Sequence, residues 1–220
     1  MKKIVIVPQL LFLTSLLTSM EPESNSAIQS FMKAFDRPEM AQRGLHTMVQ
    51  NRMVSASLLE YLKKLNPKLD LNMEFHDVFP EYFKKEETNY DSVTPLMLAV
   101  QHGECSAIQL LLDAGALCNH QNHYGSTALH WAVCTEKIKT ISFLIKCGAQ
   151  LNTQNSQKQT PLHRAIHSWP VTTVNPALKM LYFAGADISI RDKDNQTAYE
   201  KAVALKLFEA VTFFESIEKK

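Results

Sequence analysis

Two short motifs recur with a common spacing in the second half of this chain of 220 residues. The first opens with a threonine, at Thr94, Thr127, Thr160 and Thr197, in steps of 33, 33 and 37 residues. The second is centred on a glycine, at Gly115, Gly148 and Gly185, in steps of 33 and 37 residues. Two motifs with one period indicate a stack of small units, each needing a neighbour to cover its apolar face. Such a stack offers a long binding surface.

The motifs resemble those of the ankyrin repeat, which has a Thr-Pro-Leu-His turn-to-helix start, a second helix and a Gly-Ala exit. Thr160-Pro161-Leu162-His163 reproduces this start in full, and Thr127-Ala128-Leu129-His130 differs at one residue. The resemblance implies an all-α fold, an ankyrin-repeat solenoid of helix-turn-helix units with short β-turn fingers. The repeats are predicted at 89–121, 122–154, 155–191 and 192–220.

Each repeat also has a local physical explanation. Threonine can cap the inner helix, and proline at the first helical position has no amide to leave unpaired. Gly115, Gly148 and Gly185 are predicted to end the outer helices with positive φ. His130 and His163 match the family histidine, which the resemblance makes a structural hydrogen-bonding group.

Departures from the period define the remaining segments. Residues 45–88 are predicted as a degenerate capping repeat plus an extended finger, which makes five units in all. The finger at 73–88 lies either on the binding side or folded back over the cap. Repeat 155–191 contains an insertion with two prolines, and 192–220 is predicted as a C-terminal capping repeat. Residues 20–44 are predicted as an N-terminal helical segment.

Residues 1–19 begin with Met1-Lys2-Lys3 and continue with a mostly apolar run of about fifteen residues, shorter than the roughly twenty of a membrane span. Three interpretations stay open: a secretory signal peptide, a helix packed on the cap, or a segment upstream of a start at Met20. No stable membrane span is predicted.

Composition narrows the class of function. A formal net charge of +1 and the lack of a basic stripe argue against nucleic acid as a partner. The four cysteines show no Cys-x-x-Cys spacing and are predicted to be free thiols in a reducing compartment. The chain is predicted to be a monomer without a cofactor or a small-molecule substrate.

Three side-chain pairs contain residue types that occur in metal sites or in nucleophilic catalysis. His163 and His167 lie four residues apart, but the sequence between them lacks the glutamate of a zinc protease. His120 and His123 form a similar pair with no further ligand nearby in the sequence. Cys134 and His167 occupy matching positions in adjacent repeats, at a helix spacing of about 10 Å that is too long for a nucleophile and its base. No metal site and no catalytic residue are therefore predicted.

Partner contacts are transferred from the family, whose partners touch the fingers and the exposed end of each inner helix. The predicted partner-binding residues are Tyr90, Asp91, Gln101, His102, His123, Tyr124, Gln157, His167, Trp169, Lys193 and Asp194. Tyrosines bury area at low entropic cost, so Tyr90 and Tyr124 are the expected anchors. Trp131 is either a contact in the groove or a packing residue between inner helices.

The resemblance therefore implies a non-catalytic protein–protein interaction module that binds through the concave face and the fingers. Two cellular settings stay open: an effector that a bacterium delivers into a host cytosol, and a periplasmic structural or protective ankyrin protein. An enzyme is the least favoured class. Asn152 lies eight residues after Leu144, in a context resembling that of ankyrin asparagines that are hydroxylated in animal cells.

Overall fold

The computed structural model describes residues 40–74, 92–167 and 176–218, apart from the side chains of His167 and Glu218. The described residues are helical and contain no strand, which confirms the all-α fold. The predicted segment 1–19, most of the finger at 73–88 and the proline-containing insertion lie outside the described residues.

The chain divides into two compact units, Met1–Leu117 and Cys118–Lys220. The described helices of the first unit form two pairs, with α1 packed on α2, α3 on α4, and α1 also on α3. Their bounds are α1 Ala41–Gln50, α2 Ala56–Leu65, α3 Pro95–His102 and α4 Cys105–Asp113.

The described part of the second unit contains three further pairs. Their bounds are α5 Ala128–Cys134, α6 Ile138–Lys146, α7 Pro161–His167, α8 Pro176–Phe183, α9 Ala198–Ala204 and α10 Phe208–Glu218. Within each pair the first helix is the inner helix and the second the outer helix. The inner helices stack in order, α5 on α7 and α7 on α9, and α6 packs on α8. This stacking follows the predicted repeat order, while the exact repeat boundaries stay a prediction.

The inner helices begin where the threonines predict. Thr94 Oγ1 accepts the Met97 amide at 3.3 Å, and Pro95 occupies the first turn of α3. Thr197 Oγ1 accepts the Glu200 amide at 3.2 Å at the start of α9. Each contact pairs an amide that a helix start would otherwise leave unsatisfied.

Three of the outer helices, α4, α6 and α8, are followed by glycines with positive φ, as the sequence predicts: Gly115 at 105°, Gly148 at 84° and Gly185 at 97°. A Cβ at any of the three would have no neighbour within 4 Å. The glycine requirement therefore comes from the left-handed backbone conformation and not from close packing.

The core contains both small and large apolar side chains. Ala99, Ala132 and Ala165 are buried on the inner helices, where small side chains let neighbouring helices approach closely. Ile141 and Leu144 on α6 are fully buried at helical spacing and fill the space between inner and outer helices. The helical spacing of these apolar residues in the sequence thus corresponds to the buried face of α6.

Asparagines at the repeat exits connect successive repeats. Asn119 Oδ1 accepts the Gln150 amide at 2.8 Å, and its Nδ2 donates to the Gly148 carbonyl at 3.3 Å. Asn152 Oδ1 accepts the Asp187 amide at 2.9 Å in the same way one repeat later. These side chains set the position of one exit loop against the next within the second unit.

Candidate partner-binding surface

Each of the three described fingers of the second unit is a tight turn built on one side-chain oxygen. Oδ1 of Asn122, Asn155 and Asp192 accepts two backbone amides, from the residues two and four positions further on. The distances between the oxygen and the amide nitrogens run from 2.9 to 3.2 Å. Satisfying these amides locally holds the finger tips in one conformation without a β-sheet.

Backbone hydrogen bonds join the three fingers. The Tyr124 carbonyl accepts the Ser156 amide at 2.9 Å and the Ser156 hydroxyl at 3.0 Å. One repeat further, the Gln157 carbonyl accepts the Lys193 amide at 3.0 Å. We call residues 122–126, 155–159 and 192–196 the finger strip. The strip is thus a continuous row of connected turns.

Two buried histidines support the strip from below. His130 Nδ1 accepts the Thr127 amide at 3.1 Å, and Nε2 lies 3.0 Å from the Gln159 carbonyl of the next finger. His163 makes the same pair of contacts with Thr160, at 3.3 Å, and with the Gln196 carbonyl, at 3.1 Å. A nitrogen that accepts an amide is unprotonated, so this network assigns the ring proton to Nε2. The predicted structural role of both histidines is confirmed.

The environment of these rings disfavours a positive charge. Burial lowers the pKa of His130 to about 4, and the charge of Arg164 adds to this, while the Gln159 carbonyl opposes it. Burial also lowers the pKa of His163, against the influence of the Gln196 carbonyl and of Asp192. The neutral rings are the form that the hydrogen-bond geometry requires.

The last described repeat replaces the histidine with Glu200. Its carboxylate accepts the Thr197 amide at 2.9 Å and pairs with the guanidinium of Arg191 at 2.7 and 3.1 Å. The hydrogen bond from Thr197, followed by that from Arg191, lowers the pKa of Glu200. Glu200 thus caps α9 and contacts the end of the preceding exit loop through Arg191.

The third finger also differs from the other two in charge. Asp192 stands where the earlier fingers have Asn122 and Asn155, and it forms a buried ion pair with Lys201. Lys201 Nζ lies 3.6 Å from a carboxylate oxygen of Asp194 as well. Burial works to raise the pKa of Asp192, but the hydrogen bonds from Lys201, Gln196 and Asp194 together hold it below its ordinary value.

The inner helices expose a narrow row of side chains. On α5, Trp131 and Cys134 are half-buried, and on α7 Arg164 is half-buried. Arg164 donates from Nε and Nη2 to Cys134 Sγ, at 3.1 and 3.0 Å. This contact joins adjacent repeats, and the sequence reasoning missed it because it links residues 30 positions apart. None of the four cysteines forms a disulfide.

The predicted contact residues are distributed over several places. His123, Tyr124, Gln157, Lys193 and Asp194 are exposed members of the finger strip. Gln101 and His102 are half-buried at the end of α3 in the first unit. Tyr90, Asp91, Trp169 and the side chain of His167 lie outside the described residues.

Two exposed finger residues were missing from the predicted set. Lys158 and Asn195 stand at the position of Gly125, and both adopt positive φ, at 53° and 59°. The aligned fingers could have indicated this positive φ, because Gly125 occupies the same position in the first finger of the strip. A side chain at this position extends the exposed surface of the strip.

The metal-ligating pairs find no support in the geometry of the repeat. Both ring nitrogens of His163 are engaged in the hydrogen bonds described above. In the part of the chain that the structure describes, no three His, Cys, Asp or Glu side chains are grouped for a metal ion. Over the same residues, no helix combines the length and apolarity needed to cross a bilayer.

Stacked helix pairs, histidine links and connected fingers define a helical repeat protein. The family described as "Ankyrin repeats (3 copies)" matches this chain over residues 42–155 and again over 96–192. The chain therefore belongs to the ankyrin-repeat family, whose members are protein–protein interaction modules and generally not catalysts. Among curated proteins, no relative matches the chain.

Proposed function

We propose that this chain is a non-catalytic interaction module that binds a partner protein with the finger strip and the exposed row of its inner helices. The observation that carries the proposal is the chain of hydrogen bonds from Tyr124 through Ser156 and Gln157 to Lys193. A row of turns with satisfied backbones presents its side chains without a large ordering cost on binding.

The exposed face of α6 is a weaker candidate. It carries Lys139 and Lys146 and has no exposed aromatic side chain to anchor an interface. The finger strip instead carries Tyr124, 46% exposed, an amphipathic aromatic of the type that anchors interfaces. The proposed contact set is therefore the strip with Trp131 and Arg164.

Site-specific photo-crosslinking tests this proposal. A photoreactive amino acid replaces Tyr124 in one variant and Lys139 in a second, so both probes lie in the same repeat but on different faces. We expect a covalent adduct with a protein from the Tyr124 position and much less from Lys139. Equal adducts from the two positions, or adducts from Lys139 alone, would contradict the proposal.

The compartment in which binding occurs is a separate matter. Delivery into a host cytosol and the periplasmic alternative both depend on residues 1–19, which lie outside the described residues. Both settings stay predictions, and so does the monomeric state.

A further inference from the structure

The finger strip has an aromatic end and a cationic end. Tyr124 lies in the first finger, with the ring of His123 edge-on to it at 5.7 Å between centroids. Trp131, on the inner helix of the same repeat, is half-buried. Aromatic side chains of this kind give an apolar residue of a partner a rigid surface on which to pack.

The two following fingers supply the positive charge. Lys158 is exposed in the second finger and Lys193 in the third. Neither lysine has a carboxylate within ion-pair distance among the described residues.

Nearby carboxylates only partly offset these cations. Lys201 is one cation between Asp192 and Asp194, so that cluster retains a single negative charge. Arg191 and Glu200 form a pair of their own. Lys158 and Lys193 outweigh the single negative charge that remains on that cluster, so the surface keeps a positive excess at these two fingers. This local excess favours a negatively charged partner segment.

The spacing of the repeats sets the spacing of the recognised residues. Packed helices lie about 8–10 Å apart, and an extended chain advances about 3.3 Å per residue, so one repeat corresponds to about three residues of an extended segment. Tyr124, Lys158 and Lys193 lie in three successive repeats. A segment lying along the strip would present one residue in three to them.

We infer that the finger strip binds an extended acidic segment of a partner protein. One apolar side chain of that segment packs against Tyr124 and Trp131, and acidic side chains about three and six residues away face Lys158 and Lys193. This inference rests on the proposed function, because it names the partner chemistry of the same surface. An RNA or DNA strand fits less well, since Asp194 interrupts the positive surface with a carboxylate.

The test uses the full chain and a dye-labelled synthetic peptide with one phenylalanine and glutamates three and six residues after it. Binding is followed by fluorescence anisotropy at low ionic strength. The finger variant carries Lys158→Glu and Lys193→Glu, and the matched control carries Lys139→Glu and Lys146→Glu on the exposed face of α6. Both variants change the net charge equally, so only the location of the change differs.

We expect the finger variant to bind the glutamate peptide about tenfold or more weakly than the unchanged chain, and the control variant to differ from that chain by less than about threefold. A peptide with lysines in place of the glutamates should bind the unchanged chain far more weakly than the glutamate peptide does. No binding of the glutamate peptide, or equal losses in the two variants, would overturn the inference. A single-stranded oligonucleotide that binds better than the peptide and is lost in the finger variant would overturn it as well.

The outcome also separates this inference from the proposed function. If the Tyr124 photoprobe captures a protein and that capture is unchanged by Lys158→Glu and Lys193→Glu, the acidic segment is wrong. The finger strip would still be the binding surface in that case. If the Tyr124 probe captures no protein in preference to Lys139, the proposed function itself fails.

Discussion

At the scale of single residues, buried histidines connect the start of one inner helix to the finger of the next repeat. His130 is 1% exposed, and its two ring nitrogens satisfy a backbone amide on one side and a carbonyl on the other. The same arrangement recurs at His163. Because the link requires a neutral ring, the stability of the stack is coupled to proton binding.

Acid is expected to destabilise the second unit through His130. Burial lowers the pKa of this residue from its ordinary value of 6.5 to about 4, so between these pH values the unfolded chain binds a proton that the folded chain does not. The free energy of unfolding is then at its full value above pH 6.5 and falls by about 3 kcal/mol as the pH drops through 4. Urea unfolding across this range measures the slope.

The control separates titration from general loss of stability. His130→Gln removes the titrating ring and is expected to reduce the pH slope, whereas Leu144→Ala lowers stability by about 2–5 kcal/mol at every pH. Leu144 is fully buried on α6 and carries no charge. An unchanged slope in His130→Gln would contradict the coupling.

Backbone strain in the fingers gives a second prediction at this scale. Lys158 has a φ of 53°, a conformation that costs a residue with a Cβ about 1–2 kcal/mol. Lys158→Gly is therefore expected to stabilise the chain by about 0.5–1 kcal/mol, after allowance for the greater backbone entropy of glycine.

Gly125→Ala is the converse change, at the equivalent position. Gly125 has a φ of 68°, and a Cβ there would lie 3.0 Å from the Ser156 amide nitrogen. A loss of about 1–3 kcal/mol is expected. Lys158→Ala, which keeps the strain and removes the charge, should change stability little. A gain from Lys158→Ala equal to that from Lys158→Gly would contradict the strain argument.

Much of this residue-level structure could be predicted from the sequence. The threonine caps, the histidine links and the positive φ of Gly148 follow from motifs with a known local geometry. The left-handed Lys158 is indicated only by its alignment with Gly125, and the Arg164–Cys134 contact has no signal in the sequence. Lys158 is a residue with a Cβ in an unfavoured backbone conformation, and the contact between Arg164 and Cys134 depends on side-chain rotamers in two different repeats.

At the scale of elements, the third finger and α9 are held together by charge, whereas the earlier fingers use neutral asparagines. Asp192 accepts the amides of Asp194 and Gln196, as Asn122 and Asn155 do in their own turns, and it also pairs with buried Lys201. A buried ion pair is costly to break from one side, because the remaining charge is left without compensation.

A double-mutant cycle tests this pairing. Lys201→Met is expected to lower the free energy of unfolding by about 3 kcal/mol, since it leaves the Asp192 carboxylate buried. Asp192→Asn combined with Lys201→Met should restore stability to within about 1 kcal/mol of the original. Asparagine retains the two finger hydrogen bonds and matches the residue used in the other fingers. A double variant as unstable as Lys201→Met alone would show that the ion pair does not act this way.

The sequence was less informative about how elements are arranged. The helical period gave the buried face of α6 correctly, because Ile141 and Leu144 recur at the spacing of one helix face. The helical period does not identify the ion-pair partner of Lys201, because a lysine at this position cannot be distinguished in the sequence from an exposed lysine on a helix surface. Charge pairing between a finger and the following helix depends on three-dimensional packing.

At the scale of the whole molecule, membership of the ankyrin-repeat family defines the class of function, and the exposed side chains of this chain define the candidate partner. Repeats contribute a common scaffold of caps, histidines and glycines. The side chains that distinguish this chain from other stacks of the same repeats include Tyr124, Lys158 and Lys193. The scaffold fixes the positions of these residues, but it does not require their identities. The repeat pattern therefore predicts where a partner binds, but it does not name the partner.

Amide hydrogen exchange of the full chain, with and without the protein captured by the Tyr124 photoprobe, tests the central claim most directly. The account predicts slower exchange on binding in the fingers at 122–126, 155–159 and 192–196, with α6 and α8 little changed. Protection confined to the outer helices, with no change in the fingers, would contradict it.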